Sequence, residues 1–230
     1  MKRTFLLFAA VALLAACGPQ NPDNNPVYLD DPDTPGTPLT PDKSDSYGIK
    51  ALDLGLSVEW ASRNLGALND NDAGEYYAWG ETIAKTEFRW ENYKYGTSAD
   101  NITKYGGATD TRLLPADDAA TAKLGGKWRL PTTEEWKELK DKCKWTWISE
   151  NNVYGAQGTV GDVTIFLPAG GGIVGKSKQD YGMHGFYWTC QRLDDDPSLA
   201  WAYWVREMNL TSYDFPRGRY GFMIRAVRDK

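Results

Sequence analysis

The side chains able to carry out chemistry are few and scattered. Cysteine occurs at Cys17, Cys143 and Cys190, and histidine once, at His184. A nucleophilic triad would have to recruit His184 from the glycine-rich stretch Tyr181-Gly182-Met183-His184-Gly185-Phe186, a setting that suits a solvated loop or a capped core imidazole better than a general base. A lone histidine also argues against histidine-rich metal sites. Glu134-Glu135 is a carboxylate pair, but it opens a predicted helix, where the macrodipole already accounts for acidic residues. Asp194-Asp195-Asp196 could offer oxygen ligands to a hard cation. With Pro197 directly after it, the run is expected to be a solvated hairpin tip, and no obligatory metal is predicted. Gly170-Gly171-Gly172 ends a predicted strand with no helix signal behind it, so it is not a phosphate cradle. The net charge of −5 argues against nucleic acid as a partner. No catalytic residue and no cofactor are nominated, and the chain is expected not to be an enzyme.

Recognition chemistry remains. The 230 residues include 10 Trp, 13 Tyr and 7 Phe, and every Trp lies at or after Trp60. In a predicted strand from Leu199 to Met208, inward-facing Trp201, Tyr203 and Val205 would leave Ala202, Trp204 and Arg206 outward by alternation. The loop predicted over residues 209–219 then adds Asn209, Tyr213, Asp214, Arg217 and Arg219. Exposed rings beside arginine and asparagine suit a glycan or protein ligand, because rings supply contact area at low entropic cost. The alternative is an aromatic-rich core with solvated arginines.

The elements that must hold these residues follow from local signals. Thr132 with Glu135 forms a capping box after Pro131, predicting a helix to about Lys142. A shorter helix is expected over Asp117 to Leu124, stopped by Gly125-Gly126. Short strands are predicted at Ser57–Arg63, Phe186–Leu193 and Tyr220–Arg228. Another pair, Val153–Val160 and Val163–Leu167, is joined by a two-residue turn at Gly161-Asp162. Long connections over Tyr95–Gly107 and Ala169–Gly185 are natural places for binding. Trp60, Trp79, Trp128, Trp136, Trp145, Trp147, Trp188 and Trp201 are expected in the core, since each ring buries a large area.

The amino terminus is predicted to be an address. Lys2 and Arg3 precede a short apolar run, and Leu14-Ala15-Ala16-Cys17-Gly18 resembles the lipobox of bacterial lipoproteins. That resemblance implies a signal peptide over residues 1–16, cleavage before Cys17 and acylation of its thiol and amine, giving a lipid anchor in the membrane. Residues 18–46 contain seven of the 12 Pro and six Asp, so residues 17–46 are expected to be the acylated cysteine and an extended tether. Residues 47–230 are expected to form one domain. An oxidising compartment would permit a disulfide between Cys143 and Cys190, and a buried free thiol at each is an equally open reading.

Gly126-Lys127-Trp128-Arg129-Leu130-Pro131-Thr132-Thr133-Glu134-Glu135-Trp136 resembles the RLPTxxEW signature of the formylglycine-generating (sulfatase-modifying factor) branch of the C-type lectin-like fold. Tyr220-Gly221-Phe222-Met223-Ile224-Arg225-Ala226-Val227 resembles that superfamily's closing strand. The ordered series Asp53–Ser62, Tyr77–Thr82, Asp118–Ala120, Cys143–Trp147 and Ile165–Gly170 is similar to the Fibrobacter succinogenes major paralogous domain, frequent in surface and secreted lipoproteins of Bacteroidetes. The resemblance implies an α+β domain of C-type lectin-like fold: a twisted antiparallel sheet, about two helices and long loops. It also implies lipid anchoring to the outer membrane or cell surface of a Gram-negative bacterium. The paired cysteines that bind copper in formylglycine-generating enzymes have no counterpart beside Cys190, so that activity is not implied. The EPN, QPD and WND triplets of calcium-dependent lectins do not occur either. The expected function is non-catalytic recognition of a glycan or protein ligand, carbohydrate binding or adhesion, by the C-terminal strands and loops. A structural subunit or spacer of a surface assembly is the alternative, ahead of a hydrolase or other enzyme.

Overall fold

The computed structural model describes Thr40–Lys230 apart from Met208. The predicted signal segment, Cys17 and most of the predicted tether lie outside the described residues. Single 3-10 turns apart, the chain forms β1 (Ala51–Leu52), β2 (Val58–Ala61), β3 (Gly96–Ser98), β4 (Asn101–Ile102), α1 (Ala119–Leu124), β5 (Trp128–Arg129) and α2 (Thr133–Lys142). A run of strands follows: β6 (Lys144–Glu150), β7 (Val153–Val160), β8 (Val163–Pro168), β9 (Gly172–Val174) and β10 (Ser177–Gln179). The last are β11 (Gly185–Arg192), β12 (Leu199–Arg206), β13 (Asn209–Pro216), β14 (Tyr220–Gly221) and β15 (Val227–Asp229). They make five small antiparallel sheets, ordered β1-β2-β15-β5, β3-β4, β6-β7-β8, β10-β9-β14 and β11-β12-β13. The class is mixed α+β, but several short sheets stand where one twisted sheet is predicted.

Local chemistry sets both helices. Thr132 Oγ1 accepts the Glu135 N–H at 3.1 Å, and the Glu135 carboxylate accepts the Thr132 N–H at 2.8 Å. Arg129 grips the same carboxylate through both its terminal nitrogens, at 2.9 and 2.6 Å, so β5 and α2 share one anchor. Asp118, fully buried, caps α1 through the N–H groups of Ala120 and Thr121 and also accepts the Leu130 N–H at 2.7 Å. Gly125 stops α1 with a φ of +66°. The predicted turn at Gly161-Asp162 is present, with Val160 opposite Val163.

The core is aromatic, and Trp136 stands at its centre. Its ring meets Trp60 edge-on at 4.8 Å, stacks on Tyr203 at 5.0 Å and tilts against Tyr187 at 5.4 Å. One residue of α2 therefore joins the sheet holding β2 to the sheet holding β11 and β12. Trp79, Trp128 and Trp188 are also buried, whereas Trp145, Trp147 and Trp201 are only partly covered, against expectation.

Three arginines are as buried as the tryptophans. Arg225 has no exposure and, among the described residues, no carboxylate partner; it donates to Asn64 Oδ1 at 2.8 Å and to the carbonyls of Ala61, Ser62 and Phe166 at 3.0, 3.0 and 2.8 Å. Burial pushes its guanidinium down to about 10. Its inward turn explains why the predicted strand Tyr220–Arg228 is two strands in different sheets. Between them Phe222–Ala226 runs buried through the core, with Phe222 bonded to Tyr77 and Met223 to Phe186.

Residues 40–46, expected in the tether, are bonded to the domain: Gly126 N–H donates to Thr40 O at 2.8 Å and Lys43 N–H to Leu124 O at 2.7 Å, while Asp42 accepts the Trp128 indole N–H at 3.2 Å. Residues 209–216 are strand β13, paired along its length with β12, not a loop. Cys143 and Cys190 are free thiols and form no bridge. Cys143 closes α2, whereas Cys190 lies within β11 and accepts from Arg112 Nε at 3.3 Å. Burial pushes both thiols up to about 11, in Cys190 against the pull of Arg112.

Asp117 fastens the predicted long connection Tyr95–Gly107. It accepts from the hydroxyls of Tyr95 and Tyr105 and pairs with Lys104. Burial would raise its carboxyl, but Lys104, Tyr105 and Tyr95 outweigh that and hold it below the ordinary 3.8. Its stabilisation is therefore complete above that value and lost as pH falls through the folded pKa.

Two outcomes are expected in thermal unfolding followed by circular dichroism. Arg225→Met strands three buried carbonyls, each costing about 1–3 kcal/mol, and should lower Tm by roughly 10 °C or more, with Arg225→Lys between it and the native chain. Asp117→Asn should cost about 2–3 kcal/mol at pH 7, and the gap to the native chain should narrow as pH falls below about 4.

Candidate binding surface

The sheet β11-β12-β13 carries the predicted ligand-binding residues. Phe186 stands opposite Trp204 and Tyr187 opposite Tyr203, while Trp204, Ala202 and Arg206 pair with Thr211, Tyr213 and Asn209. Alternation puts Tyr187 and Tyr203 on the face that meets Trp136 and puts Phe186, Trp204, Arg206, Asn209 and Tyr213 on the other. That second face is not wholly free. Phe222 stacks on Phe186 at 5.0 Å, Phe215 meets it edge-on at 5.7 Å, and Ala202 is fully buried rather than outward-facing. Only the end of the face that carries Trp204 remains open.

Trp204 is the hub of that end. Phe186 stacks on it at 6.0 Å, His184 and Tyr213 meet it edge-on at 5.0 and 5.4 Å, and the Arg206 guanidinium lies 4.4 Å from its ring centre. Its own neighbours therefore cover much of the ring predicted as a free platform, and its buried indole N–H has no acceptor among the described residues. Tyr213, with 46% of its surface accessible, and the half-buried Arg206 face solvent beside it.

His184 belongs to this surface, where the sequence predicts a solvated loop or a capped core imidazole. It precedes Phe186 by two residues, and period-two alternation carried back from the strand would have put both on one face. The loop that holds it is well defined. Gly171 N–H donates to His184 O at 2.7 Å, His184 N–H donates to Asp180 O at 2.9 Å, and Asp180 takes a φ of +56°. His184 Nδ1 lies 3.7 Å from Asp180 Oδ2. A Cβ at Gly171, whose φ is +68°, would fall 2.1 Å from Gln179 O, so only glycine lets the chain before β9 pass so close to the end of β10.

Trp204, Arg206, Asn209 and Tyr213 are thus brought together, and the other three candidates are not. Asp214 stands opposite Trp201 and shares that residue's face, away from Trp204. Arg217 has no exposure: it donates to Lys104 O at 2.5 Å and lies against Trp79 and Tyr93, at 5.1 and 5.8 Å, so it serves the core and not a ligand. Arg219 is exposed but stands in the turn beyond Pro216. Asp194 and Asp195 are exposed, while Asp196 Oδ1 accepts the Ser198 N–H at 2.8 Å in a tight turn. Among the described residues no group of three or more His, Cys, Asp or Glu side chains converges as a metal site would require. Comparison of the chain with protein-family models, curated proteins and solved structures finds no match.

The arrangement offers a phenol, a guanidinium and an amide around one half-covered ring, which is equipment for contact and hydrogen bonding. If the division between surface and core is right, Arg206→Ala and Tyr213→Ala should each change stability by about 1 kcal/mol or less. Phe186→Ala, beneath them, should cost about 3–5 kcal/mol by denaturant unfolding.

Proposed function

We propose that this protein is a non-catalytic, lipid-anchored surface protein that recognises a glycan or protein ligand through the Trp204 end of β11, β12 and β13. One observation carries the reading: Trp204, Arg206, Asn209, Tyr213 and His184, from two strands and a loop, converge on one open sheet end. Such a cluster of aromatic and arginine side chains is the composition of a recognition surface.

The anchor is proposed from the lipobox-like sequence at Cys17, and the C-type lectin-like fold from the ordered motifs shared with the Fibrobacter succinogenes major paralogous domain. Several features favour that fold. The signature around Trp128 to Trp136 runs as a short strand into a capped helix, and β15 near the carboxy terminus lies between β2 and β5. Catalysis is not proposed, since the carboxylates of Asp117 and Asp118 are committed to structural bonds and both described thiols are buried.

The test is binding of the full chain, in a detergent without a sugar head group, to a broad glycan array. Bound glycans should be lost on Arg206→Ala and Tyr213→Ala, by at least about tenfold each, while the melting temperature is kept. Glycan binding that survives both substitutions would move recognition off this surface. A blank array would leave protein ligands, and a concentration-dependent oligomer would favour a structural role.

A further inference from the structure

A second recess lies on the other face of the same sheet. A cleft of about 320 Å³ opens where the first turn of α2 meets the ends of β11 and β12, lined by Thr111, Glu134, Gln191, Asp194, Trp201 and Ser212. Trp201 follows the alternation of Tyr203, and Ser212 stands directly opposite Tyr203, so both belong to the face that Trp136 covers farther along. The volume is near the lower end of the range for small-molecule sites, about 300–1,000 Å³.

The polar groups of the cleft are set by their neighbours. Gln191 Oε1 accepts the Thr133 N–H at 2.7 Å and lies 3.0 Å from the Thr133 hydroxyl. That fixes the amide's orientation and turns its NH2 toward the Glu134 carboxylate, which it helps to hold below the ordinary 4.5, with the second N–H available to a ligand. Arg192, the one cationic side chain at the cleft wall, is 2% exposed and donates to the carbonyls of Gly107, Asp110, Leu193 and Asp194. Four of its five N–H groups are spent on the backbone, and its burial keeps the fifth from an anion in the cleft. The remaining groups are the carboxylates of Glu134 and Asp194 as acceptors, the Gln191 amide as a donor, and the hydroxyls of Thr111 and Ser212 as both.

These groups narrow the chemistry of an occupant. An anion would face two carboxylates with no free cation. An ammonium group would satisfy the carboxylates but leave the amide donor without an acceptor. A hydroxyl both donates and accepts, and adjacent hydroxyls on a ring also give Trp201 an apolar C–H face to cover. We propose that this cleft binds a single neutral sugar ring, its hydroxyls shared between Glu134, Gln191 and Asp194 and its C–H face against Trp201. The proposal stands apart from the Trp204 surface, which lies on the opposite face and is read by its own substitutions.

The experiment is saturation-transfer NMR of the full chain, again in a detergent without a sugar head group, against free glucose, galactose, mannose, xylose and N-acetylglucosamine. At least one is expected to bind with a Kd of about 1–10 mM. Ser212→Trp, which fills the cleft from an exposed position, and Trp201→Ala should each weaken it by about tenfold or more. Should Trp201→Ala fail to fold, Glu134→Gln keeps the shape, removes the charged acceptor and should weaken binding about three- to tenfold. Binding of none of these sugars overturns the proposal, as does binding that Ser212→Trp and Glu134→Gln leave unchanged. Preference for tetramethylammonium over every neutral sugar would overturn it in favour of a cation site. Loss of the cleft's sugar with array binding intact at the Trp204 surface would leave the proposed function standing without it.

Discussion

A buried backbone carbonyl must find a donor, and in this fold many such carbonyls lie outside any ladder. The strands are short, with β1, β4, β5 and β14 only two residues each, so much of the interior is crossed by irregular chain whose backbone bonds are isolated and incomplete. Arg225, Arg192 and Arg217 supply the missing donors from within. A guanidinium carries five N–H groups in a fixed fork, so one side chain can hold several turns of irregular chain at once. Burying that charge with no carboxylate beside it is expensive. What offsets the expense is that each bond also removes a carbonyl that would otherwise be stranded. The domain can therefore be rich in loops without being loose.

The aromatic rings complete what the arginines begin. Trp136 touches Trp60, Tyr187 and Tyr203, so the sheet near the termini and the sheet of β11, β12 and β13 are packed through a single indole. With α2 on one face and Phe222 on the other, the second sheet is covered in its middle on both sides. Its ends remain open: Trp204 and Tyr213 on one face, Trp201 and Ser212 on the other. The same packing that makes the sheet rigid thus decides where a ligand could reach it, and it holds those side chains on strands rather than on free loops.

Signals confined to a few neighbouring residues were legible in the sequence. The capping box of Thr132 and Glu135, the glycine stop at Gly125, the turn at Gly161-Asp162 and the strand positions of β11 and β12 all follow from spacing alone. Features that depend on distant partners were not. Arg217 and Arg225 look like solvent-facing charges until the carbonyls of Lys104, Ala61 and Phe166 are placed around them. Asn209–Pro216 has the polar composition of a loop, and only its pairing with β12 makes it a strand. Thr40–Ser46 looks like tether because its few contacts are made to Leu124, Gly126 and Trp128, some 80 residues away. At the candidate surface, alternation finds Trp204 and Arg206 but cannot tell that Phe222 stacks on Phe186, or that His184 closes in from a preceding loop.

The two sealed thiols have a consequence for where such a domain can exist. Cys143 and Cys190 are both buried, and burial keeps them protonated well above neutrality, so neither presents a thiolate to an oxidant, a disulfide or an electrophile. No covalent cross-link joins distant parts of the described chain, and its cohesion comes from rings, guanidinium forks and capped helices. The folded domain can therefore sit in a reducing or an oxidising space alike: it holds no bond between Cys143 and Cys190 for a reductant to cut and no exposed thiol of either for an oxidant to reach.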